Sequence, residues 1–247
     1  MTADEEMTLD RRDASIMPDR TLLRIGAVLL LVGVVLPMIF GFALHPQVSD
    51  PGDTEAVLRS IVDTSGWAGV HVAILAGGFL VIGGLLALYR SITGEPGAAL
   101  ARLGFAAALV GGAIYSVSIT IEGSGALKVL AEAWASAADK AVPFSVAEAA
   151  YLVSMDIFSG GWIVFGGVVP ILFGLAIALT DFYPKWLGWV AVIAGVGNAV
   201  IAIVLFSQGW TPVTNNVFTA FAVILSLWQL VMGVLMWRKA GRAAKSR

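Results

Sequence analysis

The chain alternates long uncharged apolar stretches with shorter segments that collect its charges and turn residues. An α-helix rises 1.5 Å per residue, so about 20 apolar residues cross the roughly 30 Å hydrocarbon core of a bilayer. That length picks out six spans, at about 24–44, 67–89, 103–121, 157–180, 186–206 and 217–237. The last two share one run: the 52 residues between Lys185 and Arg238 carry no charge, and the polar segment from Ser207 to Asn216 divides them. Membrane-spanning strands would show segments of about 10 residues alternating apolar and polar, a pattern missing here. The fold class is therefore all-α, a polytopic transmembrane helix bundle.

Two connecting segments have a helical period of their own. In 54–63, Val57, Leu58, Ile61 and Val62 lie opposite Glu55, Arg59 and Asp63, as in a short helix resting on the membrane face. In 126–138, Leu127, Leu130 and Trp134 form one side, while Lys128 and Glu132 stand at i,i+4. Pro143 stops this second helix. Ser145-Val-Ala-Glu148 reads as a capping box that starts the fourth transmembrane helix near Val146. Bends are expected in that helix at Gly160-Gly161 and at Pro170, which has no N–H to donate.

Composition removes whole classes of function. Charged residues make up 13% of the chain, against about 25% in soluble domains. A net charge of −2 without a long basic block excludes a nucleic-acid partner. Zero cysteines exclude disulfides and thiolate metal sites. Charge placement sets direction: with the N-terminus inside, Arg11, Arg12, Arg20, Arg24, Arg90, Arg102, Lys185, Arg238, Lys239, Arg242, Lys245 and Arg247 fall on the inner side. Only Arg59, Lys128 and Lys140 fall outside, which predicts that both termini are cytoplasmic. Residues 1–20 are acidic and lack the apolar core of a signal peptide, so they read as a disordered cytoplasmic tail. Residues 239–247 read as a basic tail beside anionic headgroups.

The odd-numbered helices begin alike, with Arg24-Ile-Gly26 and Gly33, Arg102-Leu-Gly104 and Gly111, and Trp186-Leu-Gly188 and Gly195. This suggests three helical hairpins whose glycines let neighbouring backbones approach. At Tyr183-Pro-Lys-Trp-Leu-Gly-Trp189, Arg102-Leu-Gly104 and Glu122-Gly-Ser-Gly-Ala-Leu-Lys128, the chain resembles small six-helix bacterial membrane proteins filed as domains of unknown function. The resemblance covers about Thr21 to Arg238. It implies a bacterial cytoplasmic membrane and transfers no activity.

An ionisable side chain at membrane depth is costly, so each one is a functional hypothesis. Counting along the spans places His45, His71, Glu122 and Asp156 near the outer boundary on four helices. Gly111, Tyr115, Ser118 and Glu122 form one stripe of the third helix, and Asp156 shares a face of the fourth with Ser159 and Gly160. If these faces meet, His71, Tyr115, Ser118, Glu122 and Asp156 line an outward-opening pocket for a ligand or proton. His71, Glu122 and Asp156 are then the candidate ligands of a divalent metal. His45, which precedes Pro46 in a loop, is the least favoured member. Asn198, Ser226 and Gln229 read as hydrogen bonds between helices. Trp67, Trp186, Trp189, Trp210, Trp237, Tyr89 and Tyr183 read as interfacial belts.

No nucleophile elbow or P-loop is present, and no resident cofactor is expected. The leading expectation is a non-enzymatic structural, accessory or envelope-sensing membrane component. The alternative is a small permease or ion- or proton-coupled carrier using the outward pocket. A third is a membrane-embedded metal-dependent hydrolase. The expected partners are the lipid bilayer and either another membrane protein or a second copy of the chain.

Overall fold

The computed structural model describes residues 20–242, and all regular structure among them is helical. The acidic tail expected before residue 20 and the last five residues of the basic tail lie outside the described residues. Six helical segments are long and apolar enough to cross a membrane, so the chain is a multi-pass membrane bundle.

The first span is α1, Arg20–Pro37, continued by a π-helical turn over Met38–Ala43. The Leu44 N–H reaches the carbonyl of Ile39 five residues back, at 2.9 Å. Helix α2 occupies Thr54–Asp63, and α3, the second span, occupies Trp67–Ser91. The third span, α4, runs over Gly97–Gly123 and turns directly into α5, Gly125–Ser136. The fourth span is α6, Ala141–Trp162, a second π-helical turn over Ile163–Val168, and α7, Val169–Ala178. Helices α8, Lys185–Gln208, and α9, Pro212–Arg242, complete the bundle. Six crossings bring the first residue of α1 and the last turn of α9 to one end, and α2 and α5 sit at the other, the loop end.

Several expected boundaries shift, each for a local reason. The fourth helix begins at Ala141 rather than near Val146, with Pro143 in its first turn, where a missing N–H costs nothing. Ser145 donates back to the Ala141 carbonyl at 3.1 Å instead of capping. The turn before the last span is confined to 209–211, because Thr211 and Thr214 cap reciprocally: each hydroxyl accepts from the other's N–H, at 3.2 and 2.8 Å. Pro170 falls just after the π-turn, at the start of α7, where its missing N–H costs little.

The loop helices do not spread their apolar faces on the membrane. Val57, Leu58 and Ile61 of α2 pack with Leu127, Ala131 and Trp134 of α5 and Ala147 and Tyr151 of α6 in a separate core. The Asp53 carboxylate accepts from the Ala56 N–H at 3.1 Å, capping α2 at its start. Lys128 caps its finish, donating to the carbonyls of Ile61, Val62 and Thr64 at 3.2, 3.4 and 2.8 Å. Two of the expected belt residues, Trp67 and Tyr183, are buried, whereas Trp186, Trp189 and Trp237 are exposed.

Glycine sets the spacing between spans. A Cβ on Gly26 would overlap Ala87, and one on Gly33 would lie 2.6 Å from the Val81 nitrogen and 2.9 Å from the Gly77 carbonyl oxygen. Gly104 and Gly111 of the third span meet the fourth in the same way, at Phe173 and Phe165. Gly188 and Gly195 face Gly174 and Gly167 of the fourth span, not the sixth, so the third hairpin differs from the first two. The fourth span is consequently the central one: 56% of its most apolar stretch is buried, against 28% for the first and sixth spans.

Two predictions follow from these contacts. Gly33→Val should destabilise the protein by about 1–3 kcal/mol, seen as a lower thermal midpoint in detergent, because backbone atoms on α3 cannot yield. Gly69→Ala, with nothing within 4 Å of the added carbon, should leave the midpoint unchanged or raise it; equal losses in both variants would contradict the packing role. Lys128→Met should speed hydrogen exchange at the C-terminal end of α2 about tenfold, equivalent to about 1.4 kcal/mol. An unchanged rate would show that the three carbonyl contacts do not hold that helix end.

Candidate functional site

At the loop end, the first three spans converge on His45, His71 and Glu122. Each residue is held from a different direction. His71 lies one turn into α3, and its Nδ1 donates to the Trp67 carbonyl at 2.9 Å. Glu122 stands in the last turn of α4, where carbonyls lack helical partners. Its carbonyl takes the Trp67 indole N–H at 2.8 Å, so one tryptophan ties both helices to the site. Gly123 makes the approach feasible, since a Cβ there would overlap His71. His45 arrives from the chain beyond the first π-turn, with its Nδ1 donating to the Pro46 carbonyl at 3.0 Å. The three rings pack together, with centroid separations of 4.5 Å for Trp67–His71, 5.0 Å for His45–Trp67 and 5.2 Å for His45–His71.

These bonds decide which ring nitrogens are free. A carbonyl can only accept, so each Nδ1 carries a hydrogen, and each ring in its neutral form keeps its lone pair on Nε2. Both Nε2 atoms face the Glu122 carboxylate, at 3.7 Å from His71 and 4.0 Å from His45. Those separations exceed the roughly 2.7–2.9 Å of a charge-assisted hydrogen bond. The three ligand atoms all lie within 4.8 Å of one another. His71 is 3% exposed and Glu122 9%, so water does little to soften this meeting of acceptors. Burial holds the His45 imidazole below its ordinary value of 6.5, ahead of the opposing pull of Glu122; the His71 ring adds to the lowering, and the Pro46 bond opposes it.

The site stands at the mouth of a cavity of about 470 Å³ that continues into the membrane-spanning region. Tyr115 lines it, in contact with Phe158, Trp162 and Phe165 at centroid distances of 5.6, 5.7 and 5.8 Å. Trp162 and Phe218 meet edge-on at 5.4 Å. Below the cavity, a packed core that includes Leu30, Leu85, Phe173, Trp228 and Met232 fills the space toward the other end.

The structure separates the sequence candidates. His71, Glu122 and Tyr115 share the cavity. Ser118 lies next to them but is spent on packing: its hydroxyl donates to the Ser154 carbonyl at 2.8 Å, and Ser154 returns a bond to the Ser118 carbonyl at 3.3 Å. Asp156 does not join the group as a metal candidate. It is exposed, because the fourth span turns Ser154 and Ser159 inward, and Asp156 follows Ser154 by about 200° around the helix. His45, placed last among the candidates, occupies the position expected of Asp156. It lies in a loop, as the sequence suggests, but a loop that reaches the site; the visible signal was Pro37, whose lack of an N–H favours the irregular turn just before it. Asn198 packs as expected, accepting from the Trp162 indole at 2.9 Å and donating to the Ala194 and Phe221 carbonyls at 2.9 and 3.2 Å.

No curated protein and no solved structure matches the chain. A family model described as Domain of unknown function (DUF4386) matches residues 15–238, most of the 247-residue sequence. The six-span bundle just described is thus that of a member of the DUF4386 family, to which this chain belongs.

Proposed function

We propose that the protein is an integral membrane component that binds one divalent transition-metal ion through His45, His71 and Glu122. The carrying observation is the confrontation of two Nε2 lone pairs with a carboxylate at 3.7 and 4.0 Å, too far apart to share a proton and well placed to share an ion. Two imidazoles and one carboxylate suit zinc or a neighbouring borderline ion. Tetrahedral coordination at about 2.0–2.2 Å puts ligand atoms about 3.3 Å apart, so the observed group needs to contract by no more than about 1.5 Å. The Nδ1 bonds to backbone carbonyls are the supporting contacts that metal-bound histidines ordinarily make. Three protein ligands leave a coordination position for another molecule.

This reading favours an accessory or sensing role over the two alternatives. A hydrolase needs a base beside the metal; Glu122 is engaged as a ligand, and Asp156 is exposed elsewhere. A carrier needs a path through the bundle, and the packed core stands between the cavity and the opposite end. The distribution of lysine and arginine supports an orientation with both termini in the cytoplasm and the metal at the outer face. The family resemblance supports a bacterial cytoplasmic membrane.

Purified protein exposed to zinc and then desalted should retain about one ion per chain by elemental analysis. His45→Ala, His71→Ala and Glu122→Gln should each weaken binding about a hundredfold or more, and Asp156→Asn should match the wild type. Equal zinc retention in wild type and Glu122→Gln would remove the metal reading. Orientation is tested separately by a cysteine placed at the exposed Ser136. Ser136→Cys should react in intact cells with an impermeant maleimide; reaction only after permeabilisation would reverse the topology.

A further inference from the structure

We infer that the cavity takes one single-chain amphiphile, with its apolar body among Tyr115, Phe158, Trp162 and Phe218 and an oxygen-bearing head at the His45–His71–Glu122 group. The placement of the head rests on the metal reading above; the placement of the body rests on the cavity alone.

A metal ion by itself has no use for the space beneath it. The lining extends along α4 from Glu122 to Tyr115, about 10 Å, and along α9 from Asn215 to Ser226, about 16 Å. Its volume of 470 Å³ falls within the roughly 300–1,000 Å³ typical of small-molecule sites. Three of the polar groups along this length are already satisfied. The Trp162 indole donates to Asn198, the Tyr151 hydroxyl to the Pro51 carbonyl at 3.2 Å, and the Ser226 hydroxyl to the Ala222 carbonyl at 2.9 Å. Most of the rest of the wall is aromatic and aliphatic, with Tyr115, Phe158, Trp162 and Phe218 among it, which calls for an apolar body.

One lining donor is fully buried and still unpaired. The Trp210 indole Nε1 is buried and has no acceptor among the described residues. It belongs to the turn before α9, at the loop end, where the three ligand residues also stand. An unpaired buried donor calls for an acceptor, and a metal's remaining coordination position calls for a donor atom with a lone pair. Oxygen atoms with lone pairs are what either requirement asks of an occupant.

The first and last spans share one wall of the cavity. Helices α1 and α9 pack tightly toward the termini, where Gly233 meets Leu31 and Gly26 meets Met236. Nearer the loop end the same two helices contribute Met38 and Phe42, and Phe218 and Ala222, to the cavity wall instead. Ile39 and Ile224 on their other faces are exposed, so this wall is what separates the cavity from the surrounding lipid.

The test uses the zinc-loaded full chain in phosphatidylcholine nanodiscs with a diazirine-bearing dodecanoic acid as probe. Photolabelling should map to the peptides holding Phe158 and Phe218, and excess dodecanoate, but not acetate, should suppress it at least tenfold. Ala222→Phe, which places a ring in the cavity far from the metal, should cut labelling at least fivefold while zinc retention stays at one ion. Thr219→Trp serves the same purpose if the first variant does not fold. Labelling that is spread over the lipid-facing helices and resists competition, in protein that still retains zinc, would overturn the amphiphile inference alone. Labelling that persists in a zinc-retaining cavity-filled variant would do the same. Competed labelling in protein that never retains zinc would instead overturn the metal reading and leave the body of the ligand in place.

Discussion

Inside hydrocarbon no water is at hand to take a lone pair or offer a proton, and the bundle is arranged around that constraint. Its buried polar groups are matched in pairs across helices. Ser118 and Ser154 exchange bonds between the third and fourth spans, Asn198 ties the fourth, fifth and sixth, and the Trp228 indole reaches the Leu187 carbonyl at 2.9 Å. Ser91 and Tyr183 close the far end with a hydroxyl pair at 2.9 Å. Against this economy, three acceptors facing one another at the loop end stand out.

Attraction between helices in lipid comes from close contact rather than from escape from water, so the distance of approach matters. Glycines on the odd spans bring backbones together, and the contacts of Gly188 and Gly195 with Gly167 and Gly174 make the fourth span a hub. That hub carries the aromatic wall of the cavity on one side and the tight glycine seam on the other. The site's shape is therefore inherited from packing decisions made some way beneath it.

The number and position of the spans were legible because length and charge alone decide them. The glycine spacing was legible too, though not its partner: a seven-residue period marks a face without saying which neighbour it meets. The same gap explains the loop helices. Amphipathicity in 54–63 reveals an apolar face, but whether lipid or another helix covers it depends on Leu127 and Trp134 being near. At the site, Glu122 and His71 could be brought together by counting residues along regular helices. Asp156 and His45 exchanged places because counting fails in two different ways. A carboxylate at the right depth can still point outward, and a histidine past an irregular turn no longer follows the helical count.

Both π-helical turns, Met38–Ala43 and Ile163–Val168, hold an N–H bonded five residues back. Such a turn accommodates one residue more than an α-helical turn and shifts everything after it by about 100°. In the first span that shift decides the fate of a single side chain. Removing one residue between Met38 and Ala43 would favour an ordinary helical turn and change the direction in which the chain carrying His45 leaves the span. The placement of His45 is thus tied to chain length at one turn. Among chains sharing this bundle, the count of residues between Pro37 and the equivalent of His45 would divide those that can set a side chain beside His71 and Glu122 from those that keep only the scaffold.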